Sequence, residues 1–486
     1  MNRVVSGLLA LLSIIAVIST AILYAYPLFF ACTFPSPGAD EPAPFRLLVL
    51  ADPQLEGDSS LPTTSNGEPP SVGNILRPAP LSSVSATEQL RGLKHDIPLL
   101  FQLLRKRLDL FGNDYYLAHI FRTLHCFLEP THVTVLGDLL GSQWVSDDEF
   151  ARRGDRYWDR VFSGAHRVED EIATGASVPI LEGGAVEWKR RIINIVGNHD
   201  IGYGGDVDAH HMDRFERVFG KANYETRFWL QAKTTDMDPP ELRIINLNTL
   251  NLDVPVLEGA LLGDTYNFIN TVIETSRPVE DTTTATILLT HLPLHKEDGV
   301  CVDGPMIKYY ENERNGGVKE QNHLSYDSSK MILRSIYGKS ADVEAPARGL
   351  GRNGIILTGH DHEGCDVWHH MSPASEGKER QWTAQRWAGT TIKARNGTLP
   401  GIREVTVRSM MGDFGGNAGL LSAWFDEAEQ RWEIEYSSCM LGKQHWWWAV
   451  HVIDLLTLVS WASVTMLGVW KRLRRDSDAT TKEKVH

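Results

Sequence analysis

The sequence predicts an α/β fold, and three observations carry that expectation. Near-continuous apolar runs of strand length alternate with stretches whose apolar residues recur every three or four positions. Five of those runs stop abruptly at Asp, His, Gly-Asp or Gly-Asn-His-Asp. The region before the last apolar segment alternates apolar and polar residues, as antiparallel strands do. Together they predict an α/β sandwich closing with antiparallel strands, and an apolar run near each end predicts a transmembrane helix there.

Residues 1–33 form the first expected unit. Val4 to Thr33 contains no charged residue, and Arg3 precedes it. A bilayer core of about 30 Å takes about 20 helical residues, so this run is long enough to cross. A cleaved signal peptide has an apolar core of only about 7–15 residues, which favours an uncleaved anchor. Residues 34–44, rich in Pro, Gly, Asp and Glu, read as a linker.

The main domain is expected over residues 45–440. Residues 45–52 are a near-continuous apolar run ending in Asp52, which suits a strand buried on both faces. A Pro/Ser/Gly/Thr-rich insert at about 57–86 reads as a flexible surface loop. Helical spacing follows over 87–108, with Pro98 expected to kink or restart it, and a second helix over 114–128. Strands are predicted at 132–138, 191–196, 242–248, 285–291 and 354–362, with helices at 150–165 and near 267–275. Residues 404–411, 420–425 and 432–436 read as antiparallel strands.

Residues 446–470 form the second expected span, opening with Trp446-Trp447-Trp448 and closing with Trp470. Tryptophans at both edges suit the membrane interface, and Lys471-Arg472-Leu473-Arg474-Arg475 places the 471–486 tail in the cytosol. His451 and Asp454 interrupt the run and share a helix face, where Ser13, Ser19 or Thr20 are candidate partners. Two spans with cytosolic ends put the central domain in a lumen. The sequon Asn396-Gly397-Thr398 lies in that domain, which makes Asn396 a candidate glycosylation site. Lys482 and Lys484 near the end resemble a dilysine retrieval signal of the endoplasmic reticulum, an address read by a coat complex.

A net charge of −14 argues against nucleic acid as a partner, because a phosphate backbone needs clustered Lys and Arg. Of the five cysteines, Cys32 falls at the end of the first span. Cys126, Cys301, Cys365 and Cys439 are expected to be lumenal, with two disulfides among them and three connectivities open.

The strand-end residues supply a metal-ligand set. Asp52, Gly137-Asp138, Gly197-Asn198-His199-Asp200, His291 and His360-x-His362 all stand at carboxyl ends of predicted strands. Open α/β sheets bind ligands at that edge, so all five loops are expected on one rim. Alternate residues of an extended segment face the same way, so His360 and His362 can reach one metal region. Carboxylates, imidazoles and one amide suit Mn²⁺, Fe or Zn²⁺ and exclude a soft thiolate site. Two divalent ions about 3.5–4 Å apart clamp the attacking and leaving oxygens in phosphoester hydrolysis.

Asp52-x-Gln54, Gly137-Asp138, Gly197-Asn198-His199-Asp200, His291 and Gly359-His360-Asp361-His362 resemble, in order, the five blocks of the calcineurin-like metallophosphoesterases. That resemblance implies a β-sandwich flanked by helices. It implies two metals, with Asp52, Asp138 and His362 on one and Asn198, His291 and His360 on the other, Asp138 bridging. His199 would orient or protonate the phosphoryl group, with Asp200 as its partner. Where the family has Asp-x-His, this chain has Gln54, a weaker ligand, so the first metal would bind loosely or favour Mn²⁺. Asp52-Pro53-Gln54, the two spans and the segment Met410 to Gly419 are similar to one fungal subgroup. Its members remove ethanolamine phosphate from mannose of glycosylphosphatidylinositol (GPI) anchors in the endoplasmic reticulum and assist export of GPI-anchored proteins. The resemblance then implies Gly415, Gly416 and Asn417 beside the substrate, with the GPI glycan or GPI-anchored proteins as partners.

Overall fold

The structure, a computed structural model, describes residues 3–38, 41–62, 86–175, 188–230, 238–301, 306–340, 342–371, 381–389 and 401–483. Asn396, Lys484 and most of the 57–86 insert lie outside the described residues. Helix α1 (Arg3–Tyr24) is followed by the short α2 (Tyr26–Phe29), where Pro27, lacking an N–H, interrupts the first helix. Strand β1 (Phe45–Leu50) leads to α3 (Ala86–Leu128), β2 (His132–Val135) and α4 (Asp147–Arg156). Then come β3 (His166–Arg167), β4 (Arg191–Asn194), α5 (Asn198–Ile201) and α6 (Ala209–Phe219). Strands β5 (Tyr224–Trp229) and β6 (Glu241–Asn246) precede α7 (Gly259–Glu274) and β7 (Thr284–Leu289). A ribbon of β8 (Ile307–Tyr309) and β9 (Val318–Gln321) is followed by α8 (Tyr326–Ser335) and β10 (Asn353–Thr358). Last are β11 (Cys365–Met371), β12 (Trp382–Arg386), β13 (Gly401–Thr406), β14 (Asn417–Asp426), β15 (Arg431–Met440) and α9 (Gln444–Glu483).

These strands form a six-stranded sheet, β15-β14-β1-β2-β4-β3, and a seven-stranded sheet, β12-β11-β13-β10-β7-β6-β5. Successive side chains of a strand point to opposite faces, and the core follows that period. Leu47 and Val49 of β1 pack with Ile287 and Leu289 of β7 and Ile355 and Leu357 of β10, between the sheets. Their neighbours Leu48 and Leu50 turn outward onto Tyr116, Leu117 and Ile120 of α3, while Leu288 and Ile356 meet the helices on the other side. Fully burying one such side chain contributes about 1.5–3 kcal/mol, which is why both faces of these strands read as unbroken apolar runs.

The pairing directions position the motif loops. Strands β1, β2 and β4 are adjacent and parallel, and so are β7 and β10. Parallel neighbours end on the same edge, so Asp52, Asp138, Asn198, His291, His360 and His362 leave the sheets together.

Several expectations are corrected. Residues 87–108 and 114–128 are one helix, α3, with Pro98 inside it. Asp114, the supposed start of the second helix, is buried and takes two hydrogen bonds from Arg156 (2.7 and 2.8 Å) and one from Arg160 (2.8 Å), which ties α3 to α4 and its extension. Strand β13 stops at Thr406 and is not wholly antiparallel, for it runs parallel to β10. Cys32 pairs with Cys439, and Cys301 with Cys365, leaving Cys126 free and exposed. The apolar helix ends at Tyr24, so Cys32 lies beyond it, buried beside β15.

Behind the rim, Lys296 and His369 converge on the fully buried Glu404. Lys296 Nζ donates to Oε1 at 2.6 Å, and His369 Nε2 lies 2.6 Å from Oε2. Burial opposes ionisation of Glu404, but Lys296 and His369 overcome it and hold the carboxyl at about 2. A depressed carboxyl contributes stability above its ordinary value of 4.5, lost as pH falls toward about 2. The advantage of wild type over Glu404→Gln in denaturation midpoint is therefore expected to shrink across that window; a constant difference would contradict it. Non-reducing peptide mapping is expected to recover Cys32–Cys439 and Cys301–Cys365 linked and Cys126 alkylated.

Candidate metal centre

Asp138 is where the loops meet. Its Oδ1 accepts the backbone N–H of His199 at 2.8 Å, and its Oδ2 accepts Gln54 Nε2 at 3.0 Å. His291 Nε2 lies 3.3 Å from Oδ1 and 2.9 Å from Asn198 Oδ1. Two ligand groups share this carboxylate: Asp52, Asp138 and His362 form one, and Asp138, His291 and His360 the other, with all ligand atoms of each group within 4.8 Å of one another.

The chain reaches this geometry at a cost. Asp52, Gln54, Asp138 and His360 all have left-handed backbones, with φ of 50°, 42°, 49° and 74°. Each such residue costs on the order of 1–3 kcal/mol and persists where surrounding contacts over-determine it. Two glycines of the motifs are required by close approach. A Cβ on Gly197 would stand 2.0 Å from the backbone nitrogen of Asp138, and one on Gly359 would stand 2.3 Å from the Leu136 carbonyl oxygen.

The donor set fits divalent cations. His291 Nδ1 lies 2.8 Å from the Leu136 carbonyl, which can only accept, so Nδ1 carries the hydrogen. Nε2 is then left facing the oxygens of Asp138 and Asn198, an arrangement that only a proton or a cation reconciles. Without a cation the proton takes that place: burial disfavours the charge, but Asp138 and Asp52 raise His291 to about 9. Asp52 is fully buried, and its Oδ2 has no hydrogen-bond partner among the described residues. Burial, together with Asp138, pushes its carboxyl well above the usual range. An unpartnered buried carboxylate oxygen costs several kcal/mol unless a cation meets it, roughly as for other buried charges. Gln54 Nε2 also lies 3.1 Å from His362 Nε2, so turning the amide over offers its oxygen at the same place.

Among the other expected site residues, Asp200 and the Gly415–Asn417 turn sit elsewhere than the resemblance implied. His199 stands at the rim, its side chain 39% exposed, with Nε2 3.8 Å from Asp138 Oδ2. Asp200 is turned away from it. Its buried carboxylate accepts the backbone N–H groups of Gly197 (2.9 Å), Leu139 (3.2 Å) and Leu140 (2.9 Å), so it braces the Asp138 loop. Burial and then Asp138 raise Asp200 to about 7. Gly415, Gly416 and Asn417 are buried and do not line the opening. Gly416 packs against Tyr116 of α3, and Asn417 Nδ2 donates to the carbonyls of Ser409 (3.0 Å) and Phe414 (2.9 Å).

Ser409, just before this segment, and Phe414 within it are the residues beside the site. Ser409 donates from Oγ to the Asp52 carbonyl (3.0 Å) and from its backbone N–H to the His362 carbonyl (3.1 Å), stitching two ligand loops together. Phe414 packs on the His362 ring at 4.7 Å. Neither carries a sequence signal, because a Ser inside a strand-like run and a Phe in a turn are ordinary there.

Gly197→Ala must push the Asp138 loop outward, and overpacking of this kind is expected to cost about 1–3 kcal/mol in chemical denaturation. A change within about 0.5 kcal/mol, the range of surface substitutions, would contradict the close approach.

No family model matches the chain. It is similar to Protein TED1 of Saccharomyces cerevisiae, 34% identical over 425 residues, which are 77% of this chain and 81% of that protein. An uncharacterized protein of Schizosaccharomyces pombe is 25% identical over 480 residues, 93% of this chain and 94% of the other. Metallophosphoesterase 1 of Ailuropoda melanoleuca is 24% identical over 297 residues, 56% of this chain and 60% of that protein. With its five motif loops meeting at Asp138, the chain belongs to the family of Protein TED1, among the calcineurin-like metallophosphoesterases.

Proposed function

We propose that the chain is a two-metal phosphodiesterase that removes ethanolamine phosphate from mannose of GPI anchors. Its place would be the lumen of the endoplasmic reticulum, where it would support exit of GPI-anchored proteins. The observation that carries this reading is the pair of ligand groups sharing Asp138, in a chain with two terminal helices long and apolar enough to cross a membrane. We read the two packed sheets as the β-sandwich of the family. Mn²⁺ is the metal we favour, because the set is rich in oxygen and imidazole and lacks sulfur. The Lys482 and Lys484 ending would return the protein through a coat complex.

In this reading Asp52, Gln54, Asp138 and His362 hold one ion and Asp138, Asn198, His291 and His360 the other. The pair supplies Lewis-acid charge against the phosphoryl oxygens. The strand ends fix the ligands. His199 is the group free to act, for it is half exposed at the rim and close to Asp138. As water adds to phosphorus and the bond from phosphorus to the mannose oxygen breaks, protonated His199 would hand its proton to that leaving oxygen.

Gln54 supports a second reading, a catalytically weak scaffold for cargo export, since its amide can bond the bare Asp138 and His362 as shown. Hydrolysis of another lumenal phosphoester or pyrophosphate is the enzymatic alternative.

Full-length protein with Mn²⁺ is expected to release ethanolamine phosphate from a GPI glycan. Asp138→Ala and His360→Ala should abolish release, and His199→Ala should lower kcat by roughly 100-fold or more. Unchanged rates in the two ligand variants would overturn the metal assignment. Unchanged ethanolamine phosphate on GPI glycans of cells lacking the protein would favour another phosphoester.

A further inference from the structure

Helix α3 is apolar on two opposite faces. Its inner face, with Leu117, Ile120, Phe121 and Leu124, is buried in the core, and Asp114 pins it to Arg156 and Arg160. On the outer face Ile97, Phe101, Leu104, Leu108, Phe111 and Tyr115 recur every three or four residues, and all are exposed, Phe101 by 67% and Leu108 by 56%. A helix on the surface of a water-soluble domain has polar residues on that side. Exposed Arg105 and Arg107 stand among them, each with an apolar stem and a charged tip.

The stripe runs directly into the two terminal helices. His119 Nε2 lies 3.1 Å from the Leu23 carbonyl, and its ring meets Tyr24 edge-on at 4.6 Å. Gly112 lies so near Trp448 that a Cβ would stand 1.9 Å from its ring. Between these elements is a cavity of about 500 Å³ whose walls combine five aromatic rings, among them Phe111, Tyr115 and Trp447, with the polar Arg122, His119, Thr123 and His451 and the free Cys126. The α1 and α9 helices hold each other across the same zone, where Thr20 Oγ1 donates to Asp454 (2.8 Å) and Tyr24 Oη lies 3.0 Å from His451 Nε2. Leu28, Phe29 and Trp446 are also exposed.

We propose that α3 is an interfacial helix: its outer stripe lies in the acyl region of the leaflet that α1 and α9 cross, and the cavity takes an acyl chain of a leaflet phospholipid. This rests on α1 and α9 spanning the bilayer and not on the phosphodiesterase reading. Continuity selects the occupant. The apolar stripe leads to the lipid-facing sides of two spans, and its cationic neighbours, Arg105, Arg107, Arg122 and the Arg160 guanidinium over the Phe111 and Tyr115 rings (5.8 and 5.6 Å), suit the phosphate level of the same leaflet. Contact then passes to the metal loops, since Gly416 packs on Tyr116 of α3 and the nearby Phe414 packs on His362.

The test uses the full-length protein in nanodiscs of phosphatidylcholine. Nitroxide is placed on native Cys126 and, in a Cys126→Ser background, on single cysteines replacing Phe101, Leu104, Leu108, Val459 of α9 and Asp155 of α4. Collision rates with oxygen and with a water-soluble nickel complex are compared. Stripe labels and Cys126 are expected to follow Val459, favouring oxygen, while Asp155 favours nickel. Stripe labels that follow Asp155 while Val459 stays in lipid overturn the proposal and leave the spans intact. Labels shielded from both reagents overturn it in favour of a protein contact such as a second copy. A phosphatidylcholine with a diazirine in its acyl chain should label the Cys126 peptide, and Phe111→Glu should cut that label by roughly fivefold. Labelling confined to α1 and α9 overturns the cavity assignment.

Discussion

Burial of negative charge around Asp138 is the constraint on which the site depends. Asp52, Asp138 and Asp200 are all buried at the carboxyl ends of β1, β2 and β4, and each is compensated differently. Asp200 is met by three backbone N–H groups. Asp138 is met by Gln54, the His199 backbone and the His291 ring; burial opposes its ionisation, but the charge of the neighbouring histidines, His291 first, holds it below the usual carboxylate range. Asp52 accepts the His360 N–H at 3.0 Å on one oxygen and nothing on the other. The shortfall in positive charge lies where two histidine-containing ligand groups converge, and divalent cations supply what it lacks.

That constraint explains why the scaffold is built from parallel neighbours. Left-handed residues at four loop positions store several kcal/mol of strain in all, roughly, and only strands anchored in a core packed on both faces can hold it. The buried Lys296–Glu404–His369 cluster performs a similar service behind the rim, fastening the segment after His291 to β11 and β13. Ser409 fastens Asp52 to His362 from the other side. The ligand loops are thus braced from several sides, while His199 stands at the rim with its side chain 39% exposed.

Much of this was legible in the sequence, and the reason is local. Strands buried on both faces must be apolar throughout, so a ligand at the strand end stands out, as Asp52, Asp138 and His291 do. Glycine before the ligand at Gly137, Gly197 and Gly359 reports the same crowding. What was not legible depends on partners far away in the chain. The single helix α3 needs Asp114 bound by Arg156 and Arg160. Cys32 and Cys439 are separated by 407 positions, and nothing in either neighbourhood signals the other. The role of Asp200 depends on three backbone N–H groups that no side-chain pattern records. Ser409 likewise acts through backbone carbonyls. The outward stripe of α3 was visible only as helical periodicity, because a sequence does not say which of two apolar faces is left uncovered.

The most direct measurement is the number of divalent ions bound per chain, read by metal analysis of purified protein after equilibration with Mn²⁺. Wild type is expected to hold two. Removing the shared carboxylate in Asp138→Ala should lose both, while His360→Ala should lose only one. Two ions retained by Asp138→Ala would contradict the claim that a single buried carboxylate organises the site.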